Sequence, residues 1–520
     1  MFKGGSLKTH NLARSVAGNT VWYGAELGIT VLAALATSIP VARAFGPAKL
    51  SYYTYLQWLT NISGTLAMVG IPATTRKYMA EYLARSDHAA AWAIFRTSLH
   101  VQSWIVGGLL LAGSALIAKA VEPGYQVITL LMLCTVGAKL VACIPSNSNI
   151  AAGNWRANFI GTALNCVVTV SMVNVSLWAG WGLVGVAATL TAGMLLELLA
   201  KMVLVLRWLR RVPDATLPVD LGKRMFRFSG QGIVLMILQI VVWDRSDLVF
   251  LRMLDKDKSQ VTFFALAFNL IDKILNLPQA FSQVVGVSVM VEYGRNPQNL
   301  HRFVSTAVKY GLMVAVPVMV GTAAISSPLI RITYGSQYLP VIPVLIIGSL
   351  LATAKPVLGP LQSLFQAEER QGFLIVWTVC CAVVNVLLDV TLIPLAGARG
   401  AMAANGLAQV LAIAGIAIKA RSEFSVRMNL GVTVRIVIAG VMMAAVVWSV
   451  QRAGAPLWVE LACGIPIGAL VYVLALRLLR VLDQSDGSRL QHLAGRVPGL
   501  PGRMATNCIA GMVRKTSIGT

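Results

Sequence analysis

The chain has 520 residues, of which 57% are hydrophobic and only 12% charged, with a mean hydropathy of +0.73. A soluble domain carries about 25% charge, so a globular reading is excluded. The net charge of +23 would suit a nucleic-acid binder, but the cations gather in alternate connections between apolar segments, which is the bias of a cytoplasmic membrane face.

Apolar segments of the roughly 20 residues that a bilayer core demands follow one another with little between them. They run over about 19–42, 52–72, 91–118, 127–146, 157–177, 182–206, 230–251, 261–286, 305–328, 341–364, 373–394, 398–418, 432–451 and 456–479, giving an all-α integral membrane protein of about fourteen spans. The N-terminal segment 1–18 with Lys3, Lys8 and Arg14 is then cytoplasmic. So are the connections that hold Arg76, Lys77 and Arg85, then Arg156, then Arg207, Arg210, Arg211, Lys223, Arg224 and Arg227. Later connections on that face hold Arg295 and Arg302, then Arg370, then Lys419, Arg421 and Arg427. Arg43, Lys49, Arg252, Lys256 and Lys258 run against the bias. An even number of spans returns the basic tail 481–520 to the cytoplasm, and the first apolar stretch is too long and too continuous with the next for a cleavable signal peptide. Six cysteines within predicted spans show no metal spacing and are expected to be packing residues.

The second half repeats the first in order. Arg43 closes the first span before the turn Ala44-Phe45-Gly46-Pro47 and the aromatic pair Tyr52-Tyr53; Arg252 closes the seventh before Asp255-Lys256-Asp257 and Phe263-Phe264. Ala138-Lys139 sits mid-span in the fourth span and Ala354-Lys355 in the tenth. Gly182, Gly185 and Ala188 open the sixth span as Gly397, Gly400 and Ala403 open the twelfth, 43 residues after one lysine and 42 after the other. Six spans per repeat is even, so both enter the membrane in one direction and are expected to be two parallel lobes related by a pseudo-two-fold axis along the membrane normal. The N-lobe covers 19–211, a cytoplasmic linker 212–229 and the C-lobe 230–420, with spans thirteen and fourteen in 421–480 outside the repeat.

Several of these residues carry a family likeness. Arg43-Ala44-Phe45-Gly46-Pro47, the aromatic start of the second span, Arg76-Lys77-Tyr78, Asp244-Arg245 and Ile393-Pro394-x-x-Gly397-x-x-Gly400 resemble the polysaccharide-export, Wzx-type flippase branch of the multidrug/oligosaccharidyl-lipid/polysaccharide (MOP) exporter superfamily. The resemblance covers about residues 15–425 and implies a bacterial inner-membrane protein, and the charge bias with the even span count places both termini in the cytoplasm. It also implies translocation of a polyprenyl-diphosphate-linked oligosaccharide for surface polysaccharide, O-antigen or exopolysaccharide assembly, by alternating access between the lobes. The partners so implied are the bilayer, the lipid-linked glycan, and a polymerase with its export machinery. No cofactor is expected.

Ionisable residues inside spans cost a few kcal/mol each on insertion scales and therefore tend to face a wet cavity or a partner. A diphosphate calls for cationic donors, which makes Lys139 and Lys355 the first candidates for substrate contact, followed by Lys273 and Arg245. Pro356 and Pro360 should break the helix after Lys355 and free backbone groups there. Asp244 and Asp247 share a helical face by their spacing. Glu26, early in the first span, is the leading acid for ion coupling, with Asp244, Asp247 and Asp389 as further cavity or coupling acids; Glu197 ranks with Asp389, and Asp272 is expected to pair with a neighbouring helix.

An enzyme is not expected. Asp255-Lys256-Asp257 lies in a loop too short to build a metal site, the five histidines are scattered, and Gly222-Lys223 lacks the rest of a phosphate-binding loop. Two alternatives stand: an ion-coupled multidrug or cation antiporter, which would favour a carboxylate-rich cavity, and a lipid II flippase, whose first span opens on an Arg-Asp pair where this chain has Ala25-Glu26.

Overall fold

The computed structural model describes residues 5–68, 70–85, 87–209, 221–225, 246–295, 300–367, 370–426, 428–452 and 456–481. All regular structure among them is helical, and the chain divides into two compact units, Met1–Asp244 and Arg245–Thr520. The first contains α1 (Gly5–Ala67), α2 (Ile71–Ala84), α3 (His88–Ala120), α4 (Gln126–Ala151), α5 (Trp155–Trp178) and α6 (Gly182–Leu209). The second contains α7 (Asp247–Leu254), α8 (Ser259–Arg295), α9 (Leu300–Ala324), α10 (Ser326–Thr333), α11 (Val341–Ala352), α12 (Leu358–Ala367), α13 (Gln371–Ala396), α14 (Ala398–Phe424), α15 (Leu430–Arg452) and α16 (Leu457–Leu478).

Eleven stretches among the described residues are long and apolar enough to cross a membrane. One of them, Trp22–Ala67, is 46 residues long, or about 69 Å at 1.5 Å per residue, twice a hydrocarbon core of roughly 30 Å. It is kinked partway along. Gly46 adopts φ 71° and ψ 169°, a backbone that residues with a Cβ rarely take, and Pro47 follows. The first two predicted spans are thus two arms of one kinked helical run. The seventh predicted span lies mostly outside the described residues, with only α7 at its end on view. The linker 212–229 (apart from 221–225), the tail from 482 onward, Asp244 and Arg245 lie outside them too.

In the first unit α5 packs between α1 and α6, α4 packs on α6 and α1, and α3 packs on α4. The short α2 turns Ile71, Tyr78 and Met79 into a core with Ile94, Phe95, Ile144 and Val205. It leaves Arg76 and Lys77 exposed. Leu221 and Met225, in the connection after α6, join the same core. The second unit repeats the pairing of neighbours, with α13 on α14, α11 on α14 and α8, and α7 on α13. Its additional helix α15 packs on α9, and α16 on α15 and α10. The landmark glycines have a backbone reason: Gly182 (φ 64°) and Gly397 (φ 54°) both hold positive φ at the start of the last helix of their repeats, where Gly is the residue without a steric penalty.

Candidate functional site

In the first unit, both arms of α1 and the helices α4, α5 and α6 enclose a cavity of about 310 Å³. Its polar lining comprises Thr37, Gln57, Thr60, Asn61, Thr135, Lys139, Asn165 and Thr169. Thr37, Thr60 and Thr135 satisfy their hydroxyls on carbonyls one turn back, the usual economy of a hydroxyl in an apolar helix. Asn61 Nδ2 donates to the Gln57 carbonyl at 2.7 Å. Lys139 is the one charged residue in the wall and is exposed. No hydrogen bond or ion pair reaches its ammonium among the described residues.

Beside this cavity lies a polar cluster that joins α1, α5 and α6. Lys201, with a side chain only 5% exposed, places Nζ 2.6 Å from Glu197 Oε1 and 3.8 Å from Glu26 Oε1. Thr162 Oγ1 stands 2.9 Å from Glu26 Oε1 and 3.2 Å from Glu197 Oε1; a hydroxyl has one proton, so the two carboxylates share it. Asn165 Nδ2 donates to Glu197 Oε2 at 2.6 Å, and Thr169 Oγ1 donates to Asn165 Oδ1 at 2.8 Å. Asn165 and Thr169 also line the cavity, so cluster and cavity share a wall. Glu26, selected from sequence, is therefore an ion-pair member, and its partner Lys201 is the residue that sequence reasoning missed. The signal was available: Glu197 and Lys201 stand at i, i+4, a spacing that brings opposite charges together on one helix face.

The second unit gathers its polar residues in the corresponding corner. Asp247 on α7, Asn385 and Asp389 on α13, and Asn405 and Gln409 on α14 are each 2% exposed or less. Asn405 Nδ2 donates to Asp247 Oδ2 at 2.9 Å, Gln409 Nε2 to Asn405 Oδ1 at 2.8 Å, and Asn385 Nδ2 to Asp389 Oδ2 at 3.4 Å. The two carboxyl groups lie close enough to act on each other electrostatically. One oxygen of each, and Oδ1 of Asn385, find no hydrogen-bond partner. Among the described residues no cation lies within 4.0 Å of either acid.

Lys139 and Lys355 differ in setting despite their matching positions in the repeat. Lys139 stands in an unbroken α4, whereas span ten breaks after Ala352 into a turn and a 3₁₀ segment Lys355–Val357 before α12 begins. Pro356, which has no N–H and excludes the preceding residue from ordinary helix, is the local cause. Lys355 lies over the Phe268 ring at 5.4 Å and beside a tight cleft of about 10 Å³ with Asp272, Asn405 and Gln409. Asp272 and Asp247 both act on it electrostatically. Lys273 reaches only the edge of a pair with its neighbour Asp272, at 4.0 Å, and is one-third exposed. Adjacent residues point to different sides of a helix, so this contact is loose.

Comparison with known proteins gives the geometry a lineage. The family model described as polysaccharide biosynthesis protein matches residues 41–343. No curated protein sequence matches the chain. Among solved structures, the chain is similar to a lipid II flippase MurJ in an inward closed conformation, with a TM-score of 0.69 at 13% identity over 88% of this chain and 98% of that one. It is similar to an inward-facing multidrug resistance MATE family transporter of the MOP superfamily, with a TM-score of 0.62 at 15% identity over 76% and 94%. A MOP superfamily transporter from Pyrococcus furiosus follows with 0.56 at 13% identity over 79% and 95%. At these identities the likeness is one of fold, and the folds are those of transporters. The chain is a multi-pass membrane protein that belongs to the polysaccharide biosynthesis protein family and shares the fold of MOP superfamily transporters.

Proposed function

We propose that the chain translocates a polyprenyl-diphosphate-linked oligosaccharide across the bacterial cytoplasmic membrane for surface polysaccharide assembly, exposing its cavity alternately to the two sides. The observation that carries this reading is the first unit's cavity, which offers amides, hydroxyls and a lone ammonium with no carboxylate in its wall. Amides and hydroxyls suit sugar hydroxyls, and an unpaired ammonium suits a phosphate oxygen. About 310 Å³ stands at the lower end of ligand pockets, roughly 300–1,000 Å³. That is room for part of a glycan head, with the polyprenyl tail left in lipid. The absence of an acid in that wall weighs against the cation antiporter. The choice between a surface glycan and a cell-wall precursor rests on the family's description, which favours the former.

Coupling to an ion gradient is assigned to the second unit. Asp247 and Asp389 are two buried carboxyl groups with unpartnered oxygens, and charge buried in that state is costly unless a cation or proton joins it. Asn405 and Gln409 tie Asp247 to the cleft beside Lys355 and the helix break. Cation occupancy there can therefore bias the shape of span ten, but only through a difference in cation affinity between its two forms.

Deleting the gene in its host and labelling lipid-linked glycans with a membrane-impermeant reagent tests the reading. The complete repeat unit should accumulate, shielded from the label, while surface polymer is lost. An unchanged glycan pool with altered sensitivity to cationic drugs would replace this reading with the antiporter.

A further inference from the structure

The two units solve the same electrostatic problem in different ways, and the difference assigns a role to Lys201. In each, a corner built from the first, fifth and sixth spans of the repeat holds two carboxyl groups from different helices. In the second unit the oxygens of Asp247, Asp389 and Asn385 are left with unfilled acceptor positions. In the first unit no oxygen of Glu26, Glu197, Thr162 or Asn165 is left buried and unpartnered among the described residues, and the centre of the cluster is occupied by an ammonium from the chain itself.

We propose that Lys201 is a covalently tethered cation that fills a monovalent-cation position formed by Glu26, Glu197 and Thr162, with Asn165 holding Glu197 in place, so that the first unit takes up no dissociable ion of its own. The local sequence is shaped for it. Lys201 enters from the helix that carries Glu197, one turn away, and its stem crosses α5 at Gly161. A Cβ at Gly161 would stand 2.6 Å from Lys201 Cγ and 3.1 Å from Cε, closer than carbon atoms pack. A larger residue at 161 would expel the stem. The oxygens nearest Nζ come from two carboxylates, and the Thr162 hydroxyl bonds to both; all three are hard donors suited to an alkali cation. The consequence is an asymmetry between the two corners among the described residues: the second unit's acids are open to an exchangeable cation, while the first unit's corner carries its own ammonium whatever ions surround it. This goes beyond the export reading and does not depend on it, because it concerns cation occupancy and not cargo.

The test is binding of radiolabelled sodium and potassium ions to the purified full-length protein in lipid nanodiscs, comparing wild type with Lys201→Met and with Lys201→Met/Glu197→Gln. Methionine keeps the unbranched stem but removes the charge. Lys201→Met should bind one more cation per chain than wild type and gain an added rise in unfolding temperature with sodium. The double variant, with one carboxylate neutralised, should lose that increment. Equal cation binding by wild type and Lys201→Met would overturn the proposal. If Lys201→Met does not accumulate in the membrane, restored accumulation of the double variant supports it, because relief by removing a charge shows that Lys201 supplies compensation. Failure of both variants would overturn it, leaving Lys201 with a role in shape alone. The increment is read against whatever wild type binds, so loss of the export reading would leave this result intact.

Discussion

The polar corners of the two units occupy the same three helices of each repeat but different heights and different states of charge. Glu26 precedes the landmark Arg43 by 17 residues, whereas Asp247 precedes the equivalent Arg252 by only 5, a difference of about 18 Å along a helix at 1.5 Å per residue. The first corner is closed by its own ammonium and borders a roomy cavity. The second has no such cation among the described residues and borders a tight cleft beside a broken helix. The two repeats thus draw their corners from the same helices but place the second acid differently, on the sixth span in Glu197 and on the fifth in Asp389. One corner holds its charges in an internal ion pair, and the other leaves carboxyl oxygens without a hydrogen-bond partner.

Breaking the closed corner should have the largest effect. Glu197→Ala leaves the Lys201 ammonium buried with only Glu26 at 3.8 Å, and removing one partner of a buried pair costs about 3–5 kcal/mol. Thermal unfolding in nanodiscs should register this, and Glu197→Ala/Lys201→Ala should recover part of the loss; a double variant no better than the single would refute charge as the cause. Gly161→Val comes next, because it forces the Lys201 stem aside. Overpacking of this kind costs about 1–3 kcal/mol, and the loss should shrink in a Lys201→Ala background. The open corner should respond in the opposite sense. Asp389→Asn removes a buried charge that has no cation within 4.0 Å among the described residues, so the unfolding temperature in sodium-free buffer should hold or rise while export falls about tenfold, equivalent to 1.4 kcal/mol. Destabilisation with normal export would remove Asp389 from coupling. The smallest effect on stability belongs to Lys139→Ala: its side chain is exposed to the cavity, so stability should change by no more than about 0.5 kcal/mol while glycan export drops.

The helical class, the run of spans and the family were legible because hydropathy over 20-residue windows and punctuation by Gly and Pro are local signals. The kink at Gly46, the break at Lys355–Val357 and the positive φ at Gly182 and Gly397 all fall on residues whose chemistry announces them. The candidate site was legible only in part. Charged residues within spans draw attention singly, so Glu26, Asp247 and Asp389 could be selected, but their partners lie far along the chain. The Thr162–Glu26 contact spans 136 residues and the Asn405–Asp247 contact 158. Neutral amides carry no warning in a hydropathy profile, which is why Asn165, Asn385, Asn405 and Gln409 emerge only from the packed helices. Lys139 and Lys355 match by position in the repeat, yet one stands in an intact helix and the other in a break, a difference that Pro356 announces in the sequence.

Transbilayer movement of a fluorescent polyprenyl-diphosphate-linked oligosaccharide in proteoliposomes containing the purified chain tests the central claim most directly, with outer-leaflet label quenched by an impermeant reductant. Wild type should render nearly all label quenchable, Lys139→Ala should slow that conversion severalfold, and liposomes without protein should protect about half. Protection equal to protein-free liposomes, from protein that is folded and correctly inserted, would contradict the assignment as a lipid-linked glycan flippase.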